Sequence, residues 1–140
     1  MKRRWIVWLN VIYLTVFSLL GIPKAVASPV IHCESIPLKD WTPSLTRAYS
    51  KLTMSKYGWN RSEWRALYKL WNRESHWNTR AYNHSKERWS GLHAGGVAQM
   101  LGVSPSTPAP VQVDRGLAYI HNRYGKPSVA WAHERAHGWY

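Results

Sequence analysis

Hydrophobic residues return at helical spacing in four stretches of this 140-residue chain. From Ser44 to Tyr57 helix-compatible residues follow one another, with Leu45, Tyr49, Leu52 and Met54 toward one side, which predicts a helix. Asn60-Arg61-Ser62-Glu63 then has the N-x-x-E spacing of a capping box, and the helix it opens is the clearest element of the chain. At about 100° per residue from Trp64, the residues Leu67, Tyr68, Leu70 and Trp71 share an arc of about 160°, while Arg65, Lys69, Asn72 and Arg73 occupy the other side. Beyond Pro110, Val113, Leu117, Ile120 and Tyr124 recur at helical spacing until Gly125, a residue suited to close a helix. Pro127 is preset to begin another helix, which runs through Val129, Ala130 and Trp131 and stops before Gly138. Between Arg80 and Pro110 the chain is rich in Gly, Ser, His and Pro and reads as a long irregular segment, its Ser104–Pro110 stretch extended. Segments of this kind in small domains are functional or disordered. No stretch alternates as a half-buried strand would, and no repeat is visible, so the predicted class is mainly α.

The first 27 residues follow a different pattern. Lys2, Arg3 and Arg4 precede a largely apolar run from Trp5 to Ile22, and Ala25-Val26-Ala27 supplies a small-x-small site before Ser28, the layout of a secretory signal peptide. The run is also long enough for an uncleaved anchor, since about 18 mostly apolar residues nearly span a bilayer. With cleavage, no stable membrane insertion is expected and the protein is exported, to a periplasm, cell wall or extracellular space. Residues 28–42, with Pro29, Pro37 and mixed polarity, read as a linker, which leaves 43–140 as the folded domain. Cys33 is the single cysteine, so no disulfide can form within the chain.

Charge narrows the partners. Beyond the leader stand fifteen Lys and Arg against seven carboxylates, a net charge of +8 that favours polyanionic surfaces. Nucleic acid and a bacterial envelope both qualify. The cations are scattered rather than striped, and a signal peptide leads away from nucleic acid, so no nucleic-acid partner is expected. Eight Trp lie beyond the leader, against one Phe in the whole chain, Phe17. An indole joins a flat apolar face to an N–H donor, which suits stacking on sugar rings as well as filling a small core.

One residue breaks the helical pattern. Glu74 falls at about 280° on the same wheel, between Leu67 and Leu70, on the apolar face. A carboxyl in apolar surroundings is held protonated to higher pH, which is how a general acid for glycoside cleavage is prepared. The alternative is a frayed helix end from which Glu74 turns to solvent or pairs with Arg73 or His76.

The residues around Glu74 resemble a known family. Arg73-Glu74-Ser75-His76-Trp77-Asn78, followed by Gly96-Val97-Ala98-Gln99-Met100, is similar to the E-S…G-x-x-Q pair of the soluble lytic transglycosylase domain, which has a lysozyme-like fold. Gly116-Leu117-Ala118-Tyr119-Ile120, Arg123-Tyr124-Gly125, Pro127, Ala130-Trp131, His133 and Gly138-Trp139-Tyr140 resemble the tail of its secreted and phage-type branch. The resemblance covers residues 60–140. It implies a lysozyme-like helical domain whose irregular segment forms the active site, acting on peptidoglycan glycan strands as a monomer. It makes Glu74 the single catalytic acid/base, oriented by Ser75, with the Gly96 turn and Gln99 positioning the glycan. Tyr119 and Trp131 complete the substrate-binding set. Two departures stand out. Glu74 and Gln99 are 25 residues apart, longer than in many members, and the family's A-Y-N reads Ala130-Trp131-Ala132 here, leaving Tyr119, Tyr124 and Tyr140 as substitutes for its tyrosine.

A single carboxylate suits transglycosylation, in which Glu74 protonates the glycosidic oxygen between N-acetylmuramic acid and N-acetylglucosamine and then takes the proton of the muramic 6-hydroxyl as it closes on the anomeric carbon. Hydrolysis ordinarily needs a second carboxylate, roughly 5 Å away for retention or 6.5–9.5 Å for inversion. Glu87 and Asp114 are the candidates, so a lysozyme-like muramidase stays open beside the transglycosylase. A basic glycan-binding module without catalysis is a third class.

His133-Glu134-Arg135-Ala136-His137 spells H-E-x-x-H, the zinc-protease pattern of two histidines one turn apart with a glutamate base. Such sites need a third protein ligand. Only Gly138, Trp139 and Tyr140 follow His137, and His121 lies upstream. No metal or other cofactor is expected.

Overall fold

The computed structural model describes Pro37 and residues 41–140; the leader, Cys33 and most of the stretch read as a linker lie outside the described residues. The fold is mainly helical, with a small antiparallel sheet. Helix α1 spans Pro43–Thr53 and tightens into a 3₁₀ turn, Met54–Tyr57. Helix α2 spans Arg61–Ser75. Strands β1 (Tyr82–Lys86), β2 (His93–Gly95) and β3 (Met100–Leu101) follow, paired in that order. Helices α3 (Ala109–Tyr124) and α4 (Pro127–His137) complete the chain. None of these helices is long and apolar enough to cross a membrane.

Local chemistry sets the helix ends. The Thr42 hydroxyl accepts from the Leu45 amide at 3.2 Å and opens α1. Trp41 beside it, within the stretch read as a linker, is only 5% exposed and meets Tyr49 edge-on. Asn60 caps α2 as expected, its Oδ1 accepting from the Ser62 and Glu63 amides. Glu63 does not close the capping box. It is buried, and it accepts from the Ser128 amide at 2.8 Å and the Ser128 hydroxyl at 3.0 Å. One helix's first-turn carboxylate thus satisfies a free N–H and the positive dipole end of another, fastening α4 to α2.

Three other sequence expectations need correction. Leu52, assigned to the inner side of the first helix, is 71% exposed, and the buried face is Thr46 and Ser50. Both hydroxyls bond back to carbonyls four residues earlier, which lets polar residues pack where apolar ones were expected. Second, Ser104–Pro110 is not extended. The Thr107 amide reaches the Ser104 carbonyl at 3.0 Å in a turn, and Ala109 and Pro110 already belong to α3, whose first turn tolerates a proline. Third, the irregular segment contains a sheet. Its strands have two to five residues, and β1 is exposed along most of its length, so no buried face imposes alternation.

The core is built around Trp71, Leu67 and Leu70 of α2, Val113, Leu117 and Ile120 of α3, and Trp77, Val97 and Ala98 from the connections. Helix α3 approaches α2 at Gly116, where an added Cβ would lie 2.7 Å from Ala98 Cβ and 2.8 Å from Trp71 Cζ2. The indole occupies that gap. Gln112, fully buried, binds three strands of chain at once: its Oε1 accepts from the Val97 amide (3.0 Å), and its Nε2 donates to the Thr79 (2.9 Å) and Thr107 (2.7 Å) carbonyls. It holds the segment that carries Gln99 against the helices.

Candidate active site

Glu74 occupies the last turn of α2, on the face that Leu67, Leu70 and Trp71 bury. The helix then stops abruptly, because His76 (φ 52°) and Trp77 (φ 66°) are left-handed. Neither is glycine, and such conformations cost of order 1–3 kcal/mol each. They persist because the Trp77 ring is fully buried, within 6 Å of the Trp64, Tyr68 and Trp71 rings. The Ser75 hydroxyl donates to the Val97 carbonyl at 2.7 Å, tying the helix end to the next segment. That segment turns at Gly96 (φ +73°), where an added Cβ would lie 2.9 Å from Val103 Cγ1. Gln99 follows, also left-handed (φ 46°), its amide nitrogen Nε2 donating back to the Gly96 carbonyl at 3.0 Å.

These elements surround a cavity of about 780 Å³. Glu74, Gln99, Tyr119 and Tyr140 line it together with Arg123 and Trp139, while Glu87 and Trp89 enter from the β1–β2 hairpin. Among the residues expected in the site, the structure therefore brings Glu74, Gln99 and Tyr119 together. Ser75 and Gly96 are buried outside the lining and act on the site only through backbone placement. Trp131 lies outside it as well, packed against the core with the Arg135 guanidinium 5.8 Å from its ring.

Burial pushes the Glu74 carboxyl up to about 7 from an ordinary 4.5, the negative charge of Glu134 adds to the rise, and Arg73 opposes it. The expected alternative, pairing of Glu74 with Arg73, does not occur, because Arg73 Nε donates to Glu134 Oε1 at 2.8 Å. Glu134 is 3% exposed, and its other oxygen is buried without a hydrogen-bond partner. Its position is open to the wheel argument that singles out Glu74, since Pro127, Ala130 and Glu134 recur at helical spacing and are all buried, whereas the H-E-x-x-H pattern alone points to metal. Of the three tyrosines, Tyr119 and Tyr140 line the cavity and Tyr124 does not; of the two that do, only Tyr140 is influenced by the Glu74 charge. The Tyr140 hydroxyl accepts from Trp71 Nε1 at 3.0 Å and donates to the Ala98 carbonyl at 2.9 Å. Burial and the nearby Glu74 charge hold this phenol well above its usual range.

The two candidate second carboxylates part company. Asp114 pairs with Lys56 at 3.0 Å and is outside the cavity lining; Glu87 faces the cavity. Within H-E-x-x-H, the His133 and His137 rings stack 4.2 Å apart, and each engages a carbonyl through Nδ1: Trp139 at 2.8 Å and His133 at 3.1 Å. His121 packs instead on Tyr57, ring centroids 5.0 Å apart. Among the described residues, no three His, Cys, Asp or Glu side chains gather as a metal site would require.

Sequence spacing does not point to Arg123, Trp139, Trp89 or Glu134 as neighbours of Glu74. Their convergence depends on how the hairpin and the two last helices meet, which no local spacing encodes. Compared with protein-family models, with curated proteins and with solved structures, the chain matches none.

Proposed function

We propose that this protein is a peptidoglycan lytic transglycosylase. The observation that carries the reading is Glu74: a carboxyl raised to about 7 by burial, at the wall of a cavity large enough for sugar residues. Near neutral pH about half of such a group is protonated and half ionised, as an acid that must become a base requires. Trp139 and Trp89, 50% and 79% exposed, offer faces for sugar rings, and Gln99 offers an amide.

Glu74 gives its proton to the oxygen linking N-acetylmuramic acid to N-acetylglucosamine, and the bond from that oxygen to the muramic anomeric carbon breaks. The muramic 6-hydroxyl oxygen then bonds to the same carbon and surrenders its proton to the Glu74 carboxylate. The glutamate returns to its starting state, and the products are a free N-acetylglucosamine 4-hydroxyl and a 1,6-anhydro end. Export by the N-terminal leader would bring a monomeric domain to this substrate.

Hydrolysis is the second reading, favoured by one observation: Glu87 lines the same cavity and could act on a water. Mass spectrometry of fragments released from purified sacculi separates the two. Anhydro ends, retained in Glu87→Gln and lost in Glu74→Gln, are the expected result. Reducing muramic ends that require both carboxylates would establish the hydrolase, and no release at all would leave a binding module.

A further inference from the structure

Among the described residues Arg123 is the single cation lining the cavity, where Glu74 and Glu87 supply the negative charge. Its guanidinium is enclosed by aromatic rings, 5.1 Å from the Trp139 centroid, 5.6 Å from Tyr124 and 5.9 Å from Tyr119. Among the described residues the two ion pairs are Lys56–Asp114 and Arg73–Glu134, so Arg123 has no carboxylate of the protein at ion-pair distance. The guanidinium is also close enough to Tyr119 for a side-chain hydrogen bond, and its planar fork carries more N–H donors than that one partner can use. A cation held this way in a cleft is complementary to a planar anion entering with the ligand, and its geometry matches a carboxylate through two parallel hydrogen bonds.

We propose that Arg123 is a specificity-determining residue that reads a carboxylate on the glycan, so that the cleft prefers acidic, muramic-type strands to neutral N-acetylglucosamine polymers. The inference rests on the glycan-cleaving reading of the same cavity and adds to it the charge of the substrate. Two sources present this chemistry: the free lactyl carboxylate of a strand stripped of its peptides, and the carboxylates of the stem peptide on an intact strand.

The test uses the Glu74→Gln protein, in which turnover is expected to be about 10²–10⁴-fold slower, and measures binding of three tetrasaccharides by calorimetry. One is neutral chitotetraose, one is a peptide-free muramic glycan with free lactyl carboxylates, and one bears stem peptides. Adding Arg123→Gln is expected to lower the ratio of acidic to neutral affinity about tenfold, the worth of one charge-assisted pair. The acidic ligand that loses more identifies the carboxylate source. Arg123→Lys keeps the charge without the planar fork and is expected to recover part of the ratio. An equal loss for all three ligands would overturn the inference, since Arg123 would then only support the Trp139 wall. Tight glycan binding with an unchanged ratio would overturn it while sparing the glycan-cleaving reading, whereas no binding of any of the three would overturn both.

Discussion

Replacing Glu74 with Gln should stabilise this protein above neutrality. In the unfolded chain the carboxyl ionises near its ordinary 4.5; in the folded protein it holds its proton to about 7. The folded state thus gains stability from the protonated group, in full below pH 4.5. That gain is lost as pH rises toward 7 and is gone above it. A fully enclosed carboxyl moved this far would account for about 3 kcal/mol by linkage. Glu74 is half-buried, and the water reaching it screens its charge, which reduces the figure to roughly 1–2 kcal/mol. Gln keeps the shape and carries no charge, so the variant should lack this pH-dependent loss. Urea melts of both proteins at pH 4.5 and 8 measure it directly. The wild type should weaken by roughly 1–2 kcal/mol more than the variant between the two pH values, corresponding to a melting-temperature gap of roughly 5–10 °C at pH 8. On the proposed function, the same substitution should lower peptidoglycan cleavage by about 10²–10⁴-fold. Parallel pH dependence in the two proteins would refute the claim that Glu74 sits in a charge-averse environment, whatever the protein acts on.

Glu134→Gln removes the negative charge that adds to the rise at Glu74 and leaves the opposing Arg73 charge without its partner, so the alkaline limb of the pH–activity profile should move to lower pH; burial is the larger cause and should keep it above 4.5. Gly116→Ala inserts a methyl against Trp71 and Ala98, and the overpacking, about 1–3 kcal/mol, should exceed the gain of about 1 kcal/mol in helix propensity, which denaturant melts would register as net destabilisation. Gln112→Ala strands the Val97 amide and two carbonyls and should cost about 3 kcal/mol, with faster hydrogen exchange across residues 96–103.

Helices α2, α3 and α4 were readable because each buries one stripe against the same core, and a stripe leaves a period of 3.6 in the sequence. Their caps were readable for the same local reason, down to Asn60, Gly125 and Gly138. The strands were hidden because β1 buries almost nothing. A sheet that turns toward a cleft and solvent needs no apolar face, so its residues carry no alternation to read. Glu63 was misjudged for a related reason: its spacing from Asn60 satisfies a local motif, but a partner 65 residues away, Ser128, offers two donors at once. A pattern confined to four residues cannot report that competition.

The site follows the same division. Glu74 was visible as a polar residue on an apolar stripe, a conflict within one helix. Arg123 and Trp139 present no such conflict, since an arginine and a tryptophan near a chain end are ordinary until the fold sets one ring 5.1 Å from the guanidinium. What the structure adds is concentration. The half-buried Glu74, the buried oxygen of Glu134 without a partner, and the left-handed His76, Trp77 and Gln99 all lie where the end of α2 meets the Gly96–Gln99 turn and α4. Elsewhere the buried polar side chains Thr46, Ser50, Glu63 and Gln112 are hydrogen-bonded. Unfavourable terms scattered at random would be relieved by ordinary substitution, whereas these collect at one junction, two of whose members, Glu74 and Gln99, line the cavity, and the surrounding core holds them there. Stability lost at Glu74 and a reactive proton held near neutrality are then two consequences of the same burial, and a substitution that relieves the first should abolish the second.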